Sequence, residues 1–284
     1  MDTLYVSDLD GTLLGDDAVF SARSREILQR LLREGMCFTV ATARSVHSLK
    51  ALLGGLPLSL PVVEFNGAYV TDLSTGKHLS VQALPGDLAR DLFDRITVAG
   101  HSPFLSTFDG VQDRLAFGRI LNAGMDWYLE DRRRHADPRL AGALDPAQSL
   151  AQRVVCMTVI GERGPLEALQ ADLQAHFRER IELHCVPHLY SDWHWLTVHD
   201  AGATKDQGIR RLRSSHGLEG HALVVFGDHS NDLKMFKSAD WAIAVANATP
   251  ELKAASHTVI GPNTEDSVAL YLERAWKQSE PPPA

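Results

Sequence analysis

The first hundred residues alternate between two hydrophobic periods. "TLYVS" (3–7) is a short, nearly continuous apolar run, the pattern of a buried strand. Residues 21–34, "SARSREILQRLLRE", set Ile27, Leu28, Leu31 and Leu32 on one helical face, with Ser21 as N-cap and Gly35 as the stop. "MCFTVA" (36–41) predicts a second strand, "TARSVHSLKALLGG" (42–55) a helix ending in two glycines, and "PVVEF" (61–65) a third strand. That order predicts parallel strands with right-handed crossovers.

The pattern changes near Asn66. "AYVTDLSTGKHLSVQ" (68–82) reads as a hairpin turning at Ser74–Gly76. A helix (85–99), two strands about a "DG" turn (103–108, 111–117) and a helix (120–134) follow. Then come "RVVCMTVI", a helix (165–178) and "IELHC". "ADPRLAGALDPAQS" (136–149) is the loosest interior stretch, and the tail "SEPPPA" is expected to be disordered. After about 190 the alternation resumes, with "HWLTV" as a strand, a helix at 204–215, "HALVVF" as a strand and "NDLKMFKSA" as a helix. "WAIAV", a short helix at 249–255, "HTVI" and a last helix at 264–276 complete it.

A chain of 284 residues exceeds one ordinary hydrophobic core. The expectation is therefore an α/β core with a doubly wound parallel sheet, built from residues 1–82 and 189–284. An α+β domain is inserted at 83–188.

Charge and cysteine content narrow the classes. A net charge of -8 argues against nucleic acid as a partner. The basic run Arg132–Arg134 lies among Glu130, Asp131 and Asp137 and reads as a solvated helix face. Cys37, Cys156 and Cys185 are too scattered for a disulfide framework or a zinc site, which fits a reducing cytoplasm. No leader pattern is read at the N-terminus, and the apolar runs are too short to span a membrane. A cytoplasmic protein without nucleic-acid or membrane partners is expected; no oligomeric state is predicted.

The chemistry collects at strand ends. In open parallel sheets, ligands bind where the strands finish. "DLDGT" follows the first strand, "TAR" the second, "NGA" the strand ending at Phe65, and "GDHSND" the strand "ALVVF". Lys205 opens the helix after "HWLTV". Several carboxylates in one cleft raise each other's pKa unless a cation is present. Oxygen-only ligands, with no organised His or Cys, favour a hard divalent cation, Mg2+ above all. Together with Lys205 the cation would make a positive pocket for phosphate, and an ionised Asp facing phosphorus is then a nucleophile.

At this point the sequence resembles the haloacid dehalogenase (HAD) superfamily of phosphohydrolases. Asp8-Leu9-Asp10-Gly11-Thr12 looks like its motif I, Thr42 its motif II, Lys205 its motif III, and Gly227-Asp228-His229-Ser230-Asn231-Asp232 its motif IV. The large insert between motifs II and III is similar to the C2-capped branch (class IIB), and "DLDGTLL", "ATAR", "NGA" and "GDHSND" resemble the Cof-type sugar-phosphate phosphatases.

The resemblance implies roles. Asp8 would form an aspartyl-phosphate, and Asp10 would protonate the leaving oxygen and then activate water. Thr42 and the backbone N–H groups of Leu9 and Ala43 would hold phosphoryl oxygens, and Lys205 would neutralise their charge. Asp8, the carbonyl of Asp10, and Asp228 would bind Mg2+; Asp232 would orient a metal-bound water or Lys205. Asn231 would contact phosphate or Lys205. The partner is then a small-molecule phosphomonoester.

Other residues carry two readings. Arg44 is a ligand for phosphate or sugar hydroxyls, or one half of a structural salt bridge. Asn66 lines the pocket or belongs only to an Asn-Gly turn. Ala43, where the family commonly has Gly, still supplies an N–H. Asp206 stands where Gly is frequent and can alter the pocket rim. His229 is expected to face solvent, and Asp16 and Asp17 to lie in a solvated turn. His184, His188, His194 and His199 are spaced poorly for a second metal. Trp193 and Trp195 share a strand face and default to core packing. A phosphomutase, or a binder that keeps the phosphate pocket without turnover, are the alternatives to a hydrolase.

Overall fold

A computed structural model describes residues 2–140, 145–187 and 192–278. The chain first forms β1 (Thr3–Ser7), α1 (Ala22–Arg33), β2 (Phe38–Val40), α2 (Val46–Leu53), β3 (Val62–Glu64), β4 (Tyr69–Thr71) and β5 (His78–Val81). Next come α3 (Gly86–Val98), β6 (Phe104–Phe108), β7 (Asp113–Ala116), α4 (Ala123–Arg134) and α5 (Pro146–Ser149). The run continues with β8 (Arg153–Gly161), α6 (Arg163–Phe177), β9 (Ile181–Pro187) and β10 (His194–Asp200). The last elements are α7 (Lys205–Ser215), β11 (Ala222–Gly227), α8 (Leu233–Ser238), β12 (Trp241–Ala244), α9 (Pro250–Ala254), β13 (Thr258–Val259) and α10 (Ser267–Gln278). Two compact units result: Met1–Ser80 with Thr204–Ala284, and Val81–Ala203.

The first unit is an α/β layer structure. Its described sheet runs β13-β12-β11-β1-β2, all parallel. Ser7 pairs with Phe226 on one side and Val40 on the other, so three strands finish side by side. Leu4, Val6, Val225 and Phe226 are fully buried, as central strands covered on both faces must be. Ile27, Leu28, Leu31 and Leu32 turn inward from α1, and Ser21 caps that helix by accepting from Ser24 N. The strand "PVVEF" departs from the expected parallel ladder. An isolated parallel bridge, Ala41 to Val63, links it to the chain leaving β2. Its length pairs antiparallel with β4 instead, Val62 opposite Thr71. Apolar content marks a buried strand but does not choose its partner.

The second unit is an antiparallel sheet of order β7-β6-β8-β10-β9 carrying helices. Leu88, Leu92 and Ile96 of α3 and Leu166, Leu169 and Leu173 of α6 fill one cluster with Met157, Leu196 and Val198. Met125 and Tyr128 of α4 fill another with Phe104, Leu115 and Ile160. "HWLTV" belongs here, between β8 and β9, and not in the parallel core as expected. Only Leu196 and Val198 of that run are fully buried, the alternation of a half-covered antiparallel strand.

Two further expectations change. The stretch 136–149 is not loose throughout: Arg139 grips Asp137 with Nη2–Oδ2 at 2.6 Å, both nearly fully buried. Residues 141–144 of it, His188 and the "SEPPPA" tail lie outside the described residues. Arg133 and Arg134 are exposed, but Arg132 lies 3.1 Å from the Tyr128 ring centroid and donates to the Tyr128 carbonyl. Four residues apart on one helix, the two share a face. Trp195 packs edge-on against Tyr128, centroids 5.4 Å apart. Among the described residues, no helix is long and apolar enough to cross a membrane.

His199 of β10 is 1% exposed and its Nδ1 faces the Val155 carbonyl at 3.1 Å. Burial lowers its pKa from 6.5 to about 4, against the effect of that hydrogen bond. The native state therefore holds a neutral ring where the unfolded chain is protonated. Its stabilising effect is complete above pH 6.5 and is lost as the pH falls towards 4, by about 3 kcal/mol in all. Urea unfolding of wild type and His199→Gln across pH 4–7 should show a steeper acid loss in wild type; parallel curves would refute the assignment.

Candidate active site

Asp8 prolongs β1: it is extended and its N–H donates to Phe226 O at 3.0 Å. Its side chain is buried at the end of the sheet. The chain then turns sharply through Gly11, whose φ is +73°. A Cβ at Gly11 would stand 2.4 Å from Asp228 Oδ2, so position 11 needs glycine for both conformation and space. Thr12 Oγ1 donates to Asp228 Oδ1 at 3.1 Å, and Asn247 Nδ2 to Gly11 O at 2.7 Å.

Lys205 is the cation of the site. It is the first residue of α7, the end of a helix that disfavours positive charge. It is nevertheless fully buried, with Nζ 2.6 Å from Asp8 Oδ1 and 2.7 Å from Asp232 Oδ1. Asp232 is itself fully buried, and its other oxygen accepts from the backbone N–H groups of Asp228 (3.0 Å) and His229 (3.2 Å). Burial would lower the Lys205 pKa, but Asp232 and Asp8 more than reverse that and hold it protonated. Asp8 is raised well above the carboxylate range, by burial first and by Asp232 and Asp228, with Lys205 opposing. Asp228 is pushed up to about 6, by burial and then by Asp232.

Asp8, Asp228 and Asp232 can each offer an oxygen within 4.8 Å of the others, and Lys205 pairs with two of them, Asp8 and Asp232. An all-oxygen set with surplus negative charge fits a hard divalent cation. No other such group of His, Cys, Asp or Glu occurs among the described residues. His199 turns to a backbone carbonyl and His184 lies 3.8 Å from Glu182.

Asp10 differs from Asp8. It is partly exposed, and Arg44 forks both its oxygens, Nε–Oδ2 at 2.7 Å and Nη2–Oδ1 at 2.6 Å. Arg44 thus makes a salt bridge to the predicted acid/base residue and also donates to Ser48. Thr42 is buried, and its Oγ1 accepts from Arg44 N; Ala43 beside it is exposed. Asn66 N–H donates to Thr42 O, and Asn66 Oδ1 accepts from Asn231 Nδ2 at 3.1 Å. Leu9 is buried at the start of the motif I turn. His229 contacts its neighbour Ser230, Asp206 accepts from Gln207, and Asp16 and Asp17 are exposed.

Gly67, with φ +103°, brings two backbones together: a Cβ there would lie 2.1 Å from Thr204 O. Arg211 of α7 also donates to Gly67 O. Sequence reasoning missed Asn247 and Asn263. Asn263 Nδ2 holds Leu14 O at 2.9 Å and its N–H donates to Asn247 Oδ1, so the pair braces the turn carrying Asp10 and Gly11. Asn247 stands just beyond β12, so the strand-end rule that found Asp228 would have found it.

A parallel sheet gathering carboxylates and a lysine beside its strand ends, interrupted by an α+β insert, is the plan of a capped hydrolase of the HAD fold. Residues 5–272 match the sequence model of the haloacid dehalogenase-like hydrolases, and the chain belongs to that family. It is an enzyme of the phosphatase kind. It is 27% identical to the 5-amino-6-(5-phospho-D-ribitylamino)uracil phosphatase YwtE of Bacillus subtilis (strain 168), covering 94% of this chain and 96% of that one. It is 25% identical to the pyridoxal phosphate phosphatase YbhA of Escherichia coli (strain K12), covering 93% and 95%. A crystal structure of a Thermotoga maritima protein superposes with a TM-score of 0.76 at 25% identity, covering 96% of this chain and 97% of that one.

Proposed function

We propose that the protein is a Mg2+-dependent phosphomonoester hydrolase working through an aspartyl-phosphate on Asp8. The observation that carries this reading is the buried Lys205 clasped between Asp8 and Asp232. Lys205 fixes one Asp8 oxygen and leaves the carboxylate aimed from a strand end, as an in-line nucleophile requires. In the first step an Asp8 oxygen bonds to phosphorus, the bond from phosphorus to the leaving oxygen breaks, and Asp10 gives that oxygen its proton. In the second, Asp10 takes a proton from water as the water oxygen bonds to phosphorus, and Asp8 leaves as carboxylate.

Arg44 donates to both Asp10 oxygens, so a proton transfer uses a lone pair that Arg44 leaves free or follows the opening of one contact. Thr42, Asn231 and the N–H groups of Leu9 and Ala43 are the proposed phosphate ligands, with Asn66 steadying Asn231. Asp8, the carbonyl of Asp10, and Asp228 would hold Mg2+, and Asp232 would stay with Lys205. Bound there, the ion supplies Lewis-acid polarisation and charge neutralisation at the phosphoryl group.

The substrate class is a small phosphorylated metabolite. The named relatives act on a phosphoribityl uracil and on pyridoxal phosphate, and the motif resemblance favours sugar phosphates. The unit of residues 1–80 and 204–284 is the proposed catalytic part, and the unit of residues 81–203 the proposed cap that selects the leaving group. Three free cysteines suit a cytoplasmic setting.

EDTA should abolish hydrolysis of p-nitrophenyl phosphate, and added Mg2+ should restore it. Turnover that persists in EDTA would overturn the metal assignment.

A further inference from the structure

Glu64, the last residue of β3, is fully buried, and the proposed chemistry gives it no task. A carboxylate taken wholly from water must be held by donors. Its Oε2 accepts from Val46 N, the first residue of α2. Ser45 stands at the N-cap but makes no side-chain cap bond, so a residue from another strand caps this helix and sets its negative charge at the positive end. Its Oε1 accepts from Thr71 Oγ1 on β4. Thr71 has one hydroxyl hydrogen and gives it to Glu64, so His78 Nδ1, 2.7 Å from Thr71 Oγ1, is the donor in that contact. The His78 ring is stacked on Tyr69 at 3.9 Å.

The loop that Glu64 caps is the one carrying Thr42, Ala43 and Arg44. It is laced to the end of β3 by Thr42 N to Val63 O at 2.9 Å, Phe65 N to Arg44 O at 3.1 Å and Asn66 N to Thr42 O at 2.9 Å. From this loop Arg44 reaches Asp10. We infer that Glu64, held by Thr71 and His78, is a positioning residue that fixes the Thr42–Arg44 loop and so sets Arg44 against Asp10. Its own contacts run to Val46, Thr71 and His78, so it acts on Asp10 only through the loop. The inference rests on the phosphatase reading for its effect on turnover, though not for its effect on the loop.

Chemistry separates the two obvious variants. In Glu64→Gln the amide oxygen still accepts from Val46 N, and the amide nitrogen donates to Thr71, whose hydrogen turns to His78. Glu64→Leu offers no acceptor. The test is hydrogen exchange on the full chain, read over residues 41–49, beside steady-state hydrolysis of p-nitrophenyl phosphate with Mg2+. Glu64→Leu should raise exchange over 41–49 by about tenfold or more with α1 and α10 unchanged, since only the local cap is lost.

It should lower kcat about 10–100-fold, the effect of displacing a positioned group by about an ångström. Glu64→Gln should restore both to within about threefold. In an Arg44→Ala background, Glu64→Leu should cost little more, because the two act along one path. Unchanged exchange over 41–49, or a cost that multiplies fully with that of Arg44→Ala, would overturn the inference. A wild type inert towards every phosphomonoester would instead sink the phosphatase reading, with exchange still deciding whether Glu64 holds the loop.

Discussion

Asp8→Asn should bring turnover of p-nitrophenyl phosphate at least about 10^4-fold below wild type, because the attacking atom itself is lost. The protein should still fold. Asn has nearly the shape of Asp, and losing the charge relieves repulsion from Asp232 and Asp228 at a side chain whose ionised form is already disfavoured by burial. That relief is in part offset by one broken ion pair, since Lys205 then keeps only Asp232. Kinetics and thermal unfolding on the same preparations decide the matter. Substantial turnover in the variant would remove Asp8 from the nucleophile's role, and gross unfolding would make the kinetic loss uninformative about chemistry.

Lys205→Met should cost both activity and stability. The ammonium is fully buried between two buried carboxylates, so its removal strands both of them. Removing one partner from such a cluster costs about 3–5 kcal/mol, several times a surface ion pair. Urea unfolding measures it, and Lys205→Met combined with Asp232→Asn should recover part of the loss. A change under about 1 kcal/mol would mean that the ion cluster does not hold this edge of the sheet together.

Much of this was legible in the chain. Carboxylates directly after apolar runs cannot be ordinary strand ends, and the rule placing ligands beyond the carboxyl ends of parallel strands located Asp8 and Asp228. The sequence comparison supports the family reading. Partner choice among strands was not legible. "HWLTV" and "PVVEF" are sound strand patterns, yet both pair antiparallel, because a side-chain pattern reports burial and hydrogen-bond partners lie elsewhere in the chain.

Contacts that need the fold were hidden too. Glu64 sits 18 residues from Val46, and Asn247 lies 236 residues from Gly11. Neither separation carries a periodicity. Arg132 was misjudged because a run of three arginines looks uniform, whereas the helix turns each to a different side.

The approach of Gly67 to Thr204 bears on how such enzymes diversify. Thr204 lies directly before Lys205, and it is seated by the backbone of Gly67 and by the bond from Arg211 to Gly67 O, all within the first unit. The lysine is therefore anchored where the insert hands the chain back, by residues the insert does not supply. Under the proposed function, the insert could be rewritten, and with it the range of molecules accepted, without retuning the ammonium assigned to the reaction. Selectivity and chemistry would then be separable traits on one gene.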